Sequence, residues 1–133
     1  MPRDNLHFLF SLFVVFQVKH FFADFPLQRE YMLQKTRPGW DFVYPLGIHC
    51  LVHAILTLII VTMVNPSLWW LAIVDFGLHF FMDRIKSGPK YLGRFNDNTK
   101  SSFWMALGFD QMFHHLTHYF IIYTIFVSTV GGL

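Results

Sequence analysis

The chain has 133 residues, of which 54% are hydrophobic, 20% aromatic and 14% charged, and its formal net charge is +2. A water-soluble domain has about 25% charged residues, so this composition does not fit an ordinary soluble protein and predicts a membrane protein. The length predicts a single domain, residues 1–133. The charge is small and no recognition motif is visible, which argues against nucleic acid as a partner.

Four apolar segments are long enough to cross about 30 Å of hydrocarbon as helices. In chain order they span residues 6–25, 46–64, 67–85 and 104–127. The first lacks a short apolar core followed by a small-residue cleavage site, so we expect a retained span and not a signal peptide. The second and third are joined by little more than Asn65 and Pro66, which predicts a tight hairpin. The predicted fold class is an all-α membrane protein, a bundle of four transmembrane helices.

The lysine and arginine residues predict the orientation of these helices. Positive residues in short loops stay on the cytoplasmic side. Seven lie in the loops 26–45 and 86–103, namely Arg29, Lys35, Arg37, Lys86, Lys90, Arg94 and Lys100, whereas the opposite side has only Arg3. We therefore expect a multi-pass protein with both long loops in the cytoplasm. The same charge distribution favours a membrane lipid with an anionic headgroup as the partner.

Histidine and aspartate recur four residues apart in every predicted helix. The groups are His20 and Asp24; His49 and His53; Asp75, His79 and Asp83; and Asp110, His114 and His118. Residues four apart lie on one helix face, about 6 Å apart along the axis. Counting from the predicted cytoplasmic ends, most of these side chains fall in the same half of the bilayer. Lys19 lies off the face of His20, and we expect it to reach the interface.

Charged side chains inside a membrane need partners. An aspartate at a helix centre costs about 2.5–3.5 kcal/mol on insertion scales, and one divalent cation can satisfy several carboxylates and imidazoles together. The predicted metal ligands are His20, Asp24, His49, His53, His79, Asp83, His114 and His118. Mixed nitrogen and oxygen donors favour Zn²⁺, with Mn²⁺ or Fe²⁺ as alternatives, in one or two sites. Two other interpretations stay open: hydrogen-bonded pairs that only hold the bundle together, and axial ligation of haem.

The remaining polar residues have separate expected roles. Asp75 or Asp110 is the predicted catalytic base, and Gln28, Arg84 and Lys86 are the predicted substrate contacts. His115 points about 100° away from His114 on a helix, so we expect it outside the ligand set. Cys50 has no partner for an intrachain disulfide and is predicted to be a buried apolar residue.

Four motifs resemble those of a small bacterial and phage integral-membrane family that is catalogued as a domain of unknown function. They are His20-x-x-x-Asp24-Phe25-x-x-Gln28, His49-x-x-x-His53, His79-x-x-x-Asp83-x-x-Lys86 and Asp110-Gln111-x-x-His114. The resemblance covers nearly the whole chain and implies a protein of a bacterial, or phage-infected, inner membrane. The chain is more loosely similar to membrane-bound metal-dependent hydrolases, which implies hydrolytic activity, although it is shorter and has no extra soluble domain.

The sequence therefore predicts a metal-dependent hydrolase that acts on a membrane-associated ester or phosphoester. A metal-bound water would supply the nucleophile and an aspartate would move protons. One alternative is a metal-ion or proton carrier, which requires polar residues in the outer half of the bilayer. Only Gln17, Thr57, Thr62, Thr117 and Thr124 are found there. Another is a non-catalytic membrane interaction protein, for which the sequence offers no positive mark.

Overall fold

The computed structural model describes residues 3–131, and this range contains four α-helices. They are α1 (Arg3–Asp24), α2 (Val43–Val64), α3 (Leu71–Ser87) and α4 (Ser101–Val130). Three short 3₁₀ helices lie in the connections, at Glu30–Thr36, Pro66–Leu68 and Leu92–Arg94. No strand occurs between residues 3 and 131, so the predicted all-α fold class is confirmed.

The ends of the helices differ from the predicted segments. α1 begins at Arg3 and α4 runs from Ser101 to Val130, because the polar residues at their ends continue the helix. α3 begins at Leu71 and not at residue 67, because the chain first forms the 3₁₀ turn Pro66–Leu68. Asn65 Oδ1 accepts a hydrogen bond from the Ser67 backbone N–H at 3.1 Å and fixes this turn. The tight α2–α3 connection is therefore confirmed.

Two of the four helices, α1 and α2, are long and apolar enough to cross a membrane by length and composition. α3 has 17 residues and carries Asp75, Asp83, Arg84 and Lys86. α4 contains an aspartate and three histidines, which lower its hydropathy. The structure therefore has two candidate membrane helices in the described residues, whereas the sequence had predicted four.

The helices follow one another around the bundle. Each packs against its neighbours in the chain, and α1 closes the ring against α4. The end of the bundle near the α2–α3 turn is filled by the apolar plug, which consists of Leu12, Phe16, Val61, Leu68, Leu71, Ile121, Ile122 and Ile125. A smaller apolar group, Phe42, Leu46 and Cys50, lies near the start of α2. Cys50 is fully buried with a free thiol, as predicted.

Both long connections lie at the opposite end of the bundle, where α1 and α3 end and α2 and α4 begin. The 3₁₀ helix Glu30–Thr36 folds back against α3, where Ser87 Oγ donates to the Lys35 carbonyl at 3.2 Å. The following loop approaches the same place at Gly93, where a Cβ atom would lie 2.5 Å from the Ser87 carbonyl oxygen. Only glycine permits this close backbone contact.

Candidate metal centre

The histidine and aspartate rows of the four helices meet inside the bundle, at the end that carries the long connections. We call this group the histidine–aspartate cluster: His20, Asp24, His49, His53, Asp75, His79, Asp83, Asp110, His114 and His118. All are buried except Asp24, whose side chain is 24% exposed. The four-residue spacing explains the meeting, since it places each row on one helix face and every such face is turned inward.

Asp24 lies among three imidazoles. Its Oδ1 is 3.0 Å from His53 Nε2 and 3.5 Å from His49 Nε2, and its Oδ2 is 3.1 Å from His20 Nε2. Among the residues that the structure describes, Asp24 forms no ion pair with a lysine or arginine. One carboxylate therefore faces three histidine nitrogens from two helices, α1 and α2.

A second group forms between α3 and α4. His114 Nε2 lies 3.1 Å from Asp83 Oδ1 and 3.1 Å from Asp110 Oδ1. The other oxygen of Asp83 is 3.2 Å from His49 Nε2, which belongs to the group around Asp24. The Asp83 carboxylate thus lies between the two groups and contacts both.

A third group consists of His20, His79 and His118. His79 Nδ1 lies 3.1 Å from the Asp75 carbonyl oxygen and 2.9 Å from Asp75 Oδ1, so this nitrogen is the donor. His79 Nε2 is buried and has no hydrogen-bond partner in the described structure, and in the neutral ring it is the nitrogen that can bind a cation. This is how metal-ligating histidines are held, with one nitrogen anchored by a carboxylate or carbonyl and the other free.

The donor atoms have the spacing that a small cation requires. Within each of the three groups the ligand atoms lie within 4.8 Å of one another. Two ligands bonded to Zn²⁺ at about 2.0–2.1 Å are about 3.3 Å apart on a tetrahedron, close to the 3.0–3.5 Å contacts around Asp24 and Asp83. His114 Nε2 faces two carboxylates, yet one N–H cannot donate fully to both. The cluster therefore fits a divalent cation in its chemistry and in its spacing.

Three lysines neutralise three of the four carboxylates. Lys35 Nζ lies 3.0 Å from Asp83 Oδ2, and Lys86 Nζ lies 2.9 Å from Asp110 Oδ2. Lys19 Nζ lies 2.8 Å from Asp75 Oδ2. Lys19 is only 4% exposed, so its expected position at the membrane interface was wrong. These lysine pairs fit the alternative in which polar contacts alone hold the cluster together. Asp24 differs from the other three carboxylates, because its partners are histidines and not a lysine.

Asp75 has surroundings unlike those expected of a catalytic base. Its Oδ2 accepts hydrogen bonds from Lys19 Nζ and from Thr57 Oγ1 at 2.6 Å. Its Oδ1 lies 2.9 Å from His79 Nδ1, so both oxygens of this fully buried carboxylate contact protein groups. Sequence reasoning missed Lys19 and Thr57 as neighbours of Asp75, and it missed Lys35 as a neighbour of Asp83. For Lys35 the only signal was the excess of lysine in the loops, which did not say which lysine turns inward.

The predicted substrate contacts lie in three different places. Lys86 reaches the cluster through Asp110. Gln28 Nε2 donates to the Asp24 carbonyl at 3.0 Å, so it lies beside the cluster without pointing a free amide into it. Arg84 lies over the Phe42 ring, 3.5 Å from its centroid, and donates to the Arg37 carbonyl. The structure does not bring Arg84 to the cluster.

A cavity of about 530 Å³ lies beside the cluster at the loop end of the bundle. Its charged lining residues are Lys35 and Lys86, the two lysines paired with Asp83 and Asp110. Its apolar wall is formed by Leu92, Phe95, Phe103 and Leu107, among others. The lysine ammonium groups therefore separate this cavity from the carboxylates.

The fold and this arrangement define a class: an all-α helical bundle whose core, near the long connections, is a histidine–aspartate cluster able to hold a divalent cation. The chain belongs to the family described as protein of unknown function (DUF3307), whose family model matches residues 12–131. The match spans every motif from His20 to His118. The predicted membership of an uncharacterised family is thus confirmed. No curated protein and no solved structure matches the chain.

Proposed function

We propose that this protein is a membrane-embedded, metal-dependent hydrolase of an ester or phosphoester that is attached to a lipid. The observation that carries the proposal is the Asp24 carboxylate, which lies 3.0–3.5 Å from three histidine Nε2 atoms without a lysine or arginine partner in the described structure. A cation bound by this carboxylate and these nitrogens would supply the positive charge that lysine and arginine do not supply at Asp24. The Asp83 carboxylate, which contacts both neighbouring groups, could help to hold a second ion.

The distribution of apolar and polar side chains supports a membrane setting. The interior holds ionisable residues, whereas large apolar side chains point outward, including Phe10 on α1 at 66% exposed and Met63 on α2 at 81%. α4 likewise exposes Phe120 and Leu116. Exposed apolar surface of this extent is unfavourable in water, and hydrocarbon removes the penalty. We therefore extend the two candidate spans, α1 and α2, to a bundle in which all four helices lie in the inner membrane.

Orientation is part of the same proposal. The long connections carry most of the lysine and arginine residues and meet at the end of the bundle that holds the cluster. Positive residues favour the cytoplasmic side. Placing this end in the cytoplasm gives the reacting group access from that side, through the partly exposed Asp24 and Lys86.

The residues of the cluster have different roles in the proposed reaction. The cation, when bound, supplies a Lewis acid and activates water for attack at neutral pH; Zn²⁺ suits the mixed imidazole and carboxylate donors, and Mn²⁺ or Fe²⁺ are alternatives. Six histidines offer nitrogen donors, with Asp24 and Asp83 as the carboxylates: His20, His49, His53, His79, His114 and His118. Asp110, which contacts the cavity residue Lys86 at 2.9 Å, is the residue that we propose moves the proton. Asp75 is a positioning residue, because it anchors His79.

A carrier function has less support. Its polar row would have to continue through the bundle, but beyond His118 the core is the apolar plug, where Phe16 packs against the His118 ring at 5.5 Å between centroids. Val61, Leu71 and Ile121 at this level are fully buried. Ions crossing the apolar plug would meet these apolar side chains, and an unsolvated charge there is costly.

Elemental analysis of the protein purified in a mild detergent tests the proposal. We expect at least about one equivalent of a transition metal per chain, since the donor set fits one or two ions. Asp24→Asn should lose most of it, whereas the matched control Asp41→Asn, at an exposed loop carboxylate, should keep it. Hydrolysis of a diacylglycerophospholipid, followed as released fatty acid or diacylglycerol, should stop on chelation and return with added Zn²⁺. Absence of metal from every preparation, or metal without hydrolysis, would overturn the metal or the hydrolase part respectively.

A further inference from the structure

The cavity between α3, α4 and the two long connections has a cationic end and an apolar wall. We infer that it binds an amphiphilic phosphate, with the phosphate on Lys35 and Lys86 and the attached chain along Phe103 and Leu107. The identification of this ligand as a substrate rests on the proposed function. The binding of the ligand in the cavity can be tested independently. Such a ligand narrows the proposed ester or phosphoester to a lipid phosphoester.

The two lysines have donors to spare. A lysine ammonium has three N–H donors, and each of these two has one hydrogen-bond or ion-pair partner in the described structure, Asp83 for Lys35 and Asp110 for Lys86. The charged residues that line the cavity are these two lysines. Their charges are paired with Asp83 and Asp110, but their remaining N–H groups favour a ligand with several acceptor oxygens, and phosphate oxygens accept several charge-assisted hydrogen bonds together.

The size and walls of the cavity argue against a free inorganic ion. Pockets for small organic ligands are about 300–1,000 Å³, and this one, at about 530 Å³, is in that range. A lone phosphate ion would leave the apolar wall of the cavity uncovered, because the side chains of this wall cannot form hydrogen bonds with it: Leu92, Phe95, Phe103, Ala106 and Leu107. Apolar surface of this kind gains free energy only when apolar groups cover it.

A chain of polar contacts connects the cavity to the proposed metal ligands. Lys35 contacts Asp83 at 3.0 Å, Asp83 and Asp110 each lie 3.1 Å from His114 Nε2, and Asp110 contacts Lys86 at 2.9 Å. This series of contacts begins and ends at a cavity lysine, and the proposed metal ligand His114 lies at its middle. A phosphate on the lysines would therefore lie next to the part of the cluster formed by α3 and α4.

Thermal unfolding in detergent with three probes tests the binding site. Dioctanoylphosphatidylglycerol should raise the melting temperature of the wild-type protein in a saturable way. Inorganic phosphate, which lacks the chains, and dioctanoylglycerol, which lacks the phosphate, should each give a much smaller rise at the same concentration. An equal rise in melting temperature with inorganic phosphate would show an anion site that does not recognise the lipid chains. An equal rise with dioctanoylglycerol would show that the lysines do not bind the phosphate. Either result overturns the inference.

A matched pair of variants on α4 locates the site. Ala106→Phe fills the cavity without replacing a lysine or a carboxylate, and it should raise the lipid concentration for half-maximal stabilisation by at least about tenfold. Met105→Phe, at an exposed neighbouring position, should behave as the wild type. Lys86→Gln should weaken binding by about tenfold or more, because a charged hydrogen bond is lost; it also provides the test if Ala106→Phe does not fold. Unchanged lipid binding in both cavity variants would place the lipid elsewhere.

The outcome is separable from that of the proposed function. Ala106→Phe should keep its bound metal while it loses lipid binding. Loss of lipid binding with intact metal supports the cavity assignment even if no hydrolysis is found. Unchanged lipid binding with intact hydrolysis overturns the cavity assignment and leaves the hydrolase.

Discussion

Lys19 on α1 and Asp75 on α3 form an ion pair of 2.8 Å across the bundle, with side chains only 2% and 0% exposed. The pair joins two helices that otherwise make little direct contact. Thr57 on α2 donates to the same aspartate oxygen at 2.6 Å. Three helices are therefore linked through one carboxylate, at the boundary between the histidine–aspartate cluster and the apolar plug.

Removing the lysine from this pair should destabilise the protein strongly. Lys19→Met leaves Asp75 as a buried charge without its counterion, and breaking a buried pair in this way costs about 3–5 kcal/mol. The free energy of unfolding in detergent measures the effect. Lys90→Met, at an exposed loop position, is the control and should change it by about 0.5 kcal/mol or less.

The double variant Lys19→Met/Asp75→Asn should recover part of the loss, because it removes both charges while keeping a side chain that Thr57 can contact. If Lys19→Met alone is as stable as the wild type, the ion pair does not hold the helices together.

The Thr57 hydroxyl should matter for the same reason. Thr57→Val keeps the shape of the side chain but removes a donor to a buried carboxylate, and hydrogen bonds to charged groups contribute about 1.5–3 kcal/mol. Thr62, one and a half turns further along α2, donates only to carbonyls of its own helix. Thr62→Val should therefore be nearly neutral. Chemical unfolding of the two variants side by side measures the difference, and equal losses would contradict the role assigned to Thr57.

Much of the cluster could be predicted from the sequence, because the spacing of four fixes which side chains share a helix face. His49 and His53, or Asp110 and His114, need no tertiary information to be placed together. All ten residues of the cluster were named as site residues from this pattern. The pattern also placed His115 outside it, and in the structure His115 is partly exposed and contacts Gln17 at 3.1 Å.

Lys19 shows what the pattern could not provide. Apolar residues surround α1 on nearly every side, so its sequence does not fix the rotation of the helix about its axis. That rotation decides whether Lys19 faces lipid or reaches across to Asp75. Lys35 shows a second limit, since it comes from a connection whose path depends on contacts such as Ser87 with the Lys35 carbonyl. The charge of the loops was visible in the sequence, but not that two of the lysines turn towards buried carboxylates.

The proposed orientation in the membrane predicts opposite labelling at the two ends of the bundle. Asn98→Cys introduces an exposed thiol in the loop between α3 and α4, and Ser67→Cys introduces one in the α2–α3 turn. In intact cells an impermeant thiol reagent should label Ser67→Cys and spare Asn98→Cys, because the positive loops face the cytoplasm. The native Cys50 is fully buried and gives a low background. Labelling of Asn98→Cys from outside would reverse the topology and the side from which the cluster is reached.

Metal binding predicts a different response at two histidines of the bundle. His79 offers a buried, unpartnered Nε2 because Asp75 holds its other nitrogen, whereas His115 is partly exposed and bonded to Gln17. A ligand present at about 100 times its Kd stabilises the folded state by about 2.7 kcal/mol. Treatment with a strong chelator should therefore lower the melting temperature of the wild-type protein and of His115→Ala. His79→Ala should bind less metal, start from a lower melting temperature and respond little to the chelator. Elemental analysis and thermal unfolding of the three proteins measure these differences. If chelation leaves the melting temperature of the wild type unchanged, or if both variants lose metal equally, His79 does not bind a metal ion in the way proposed.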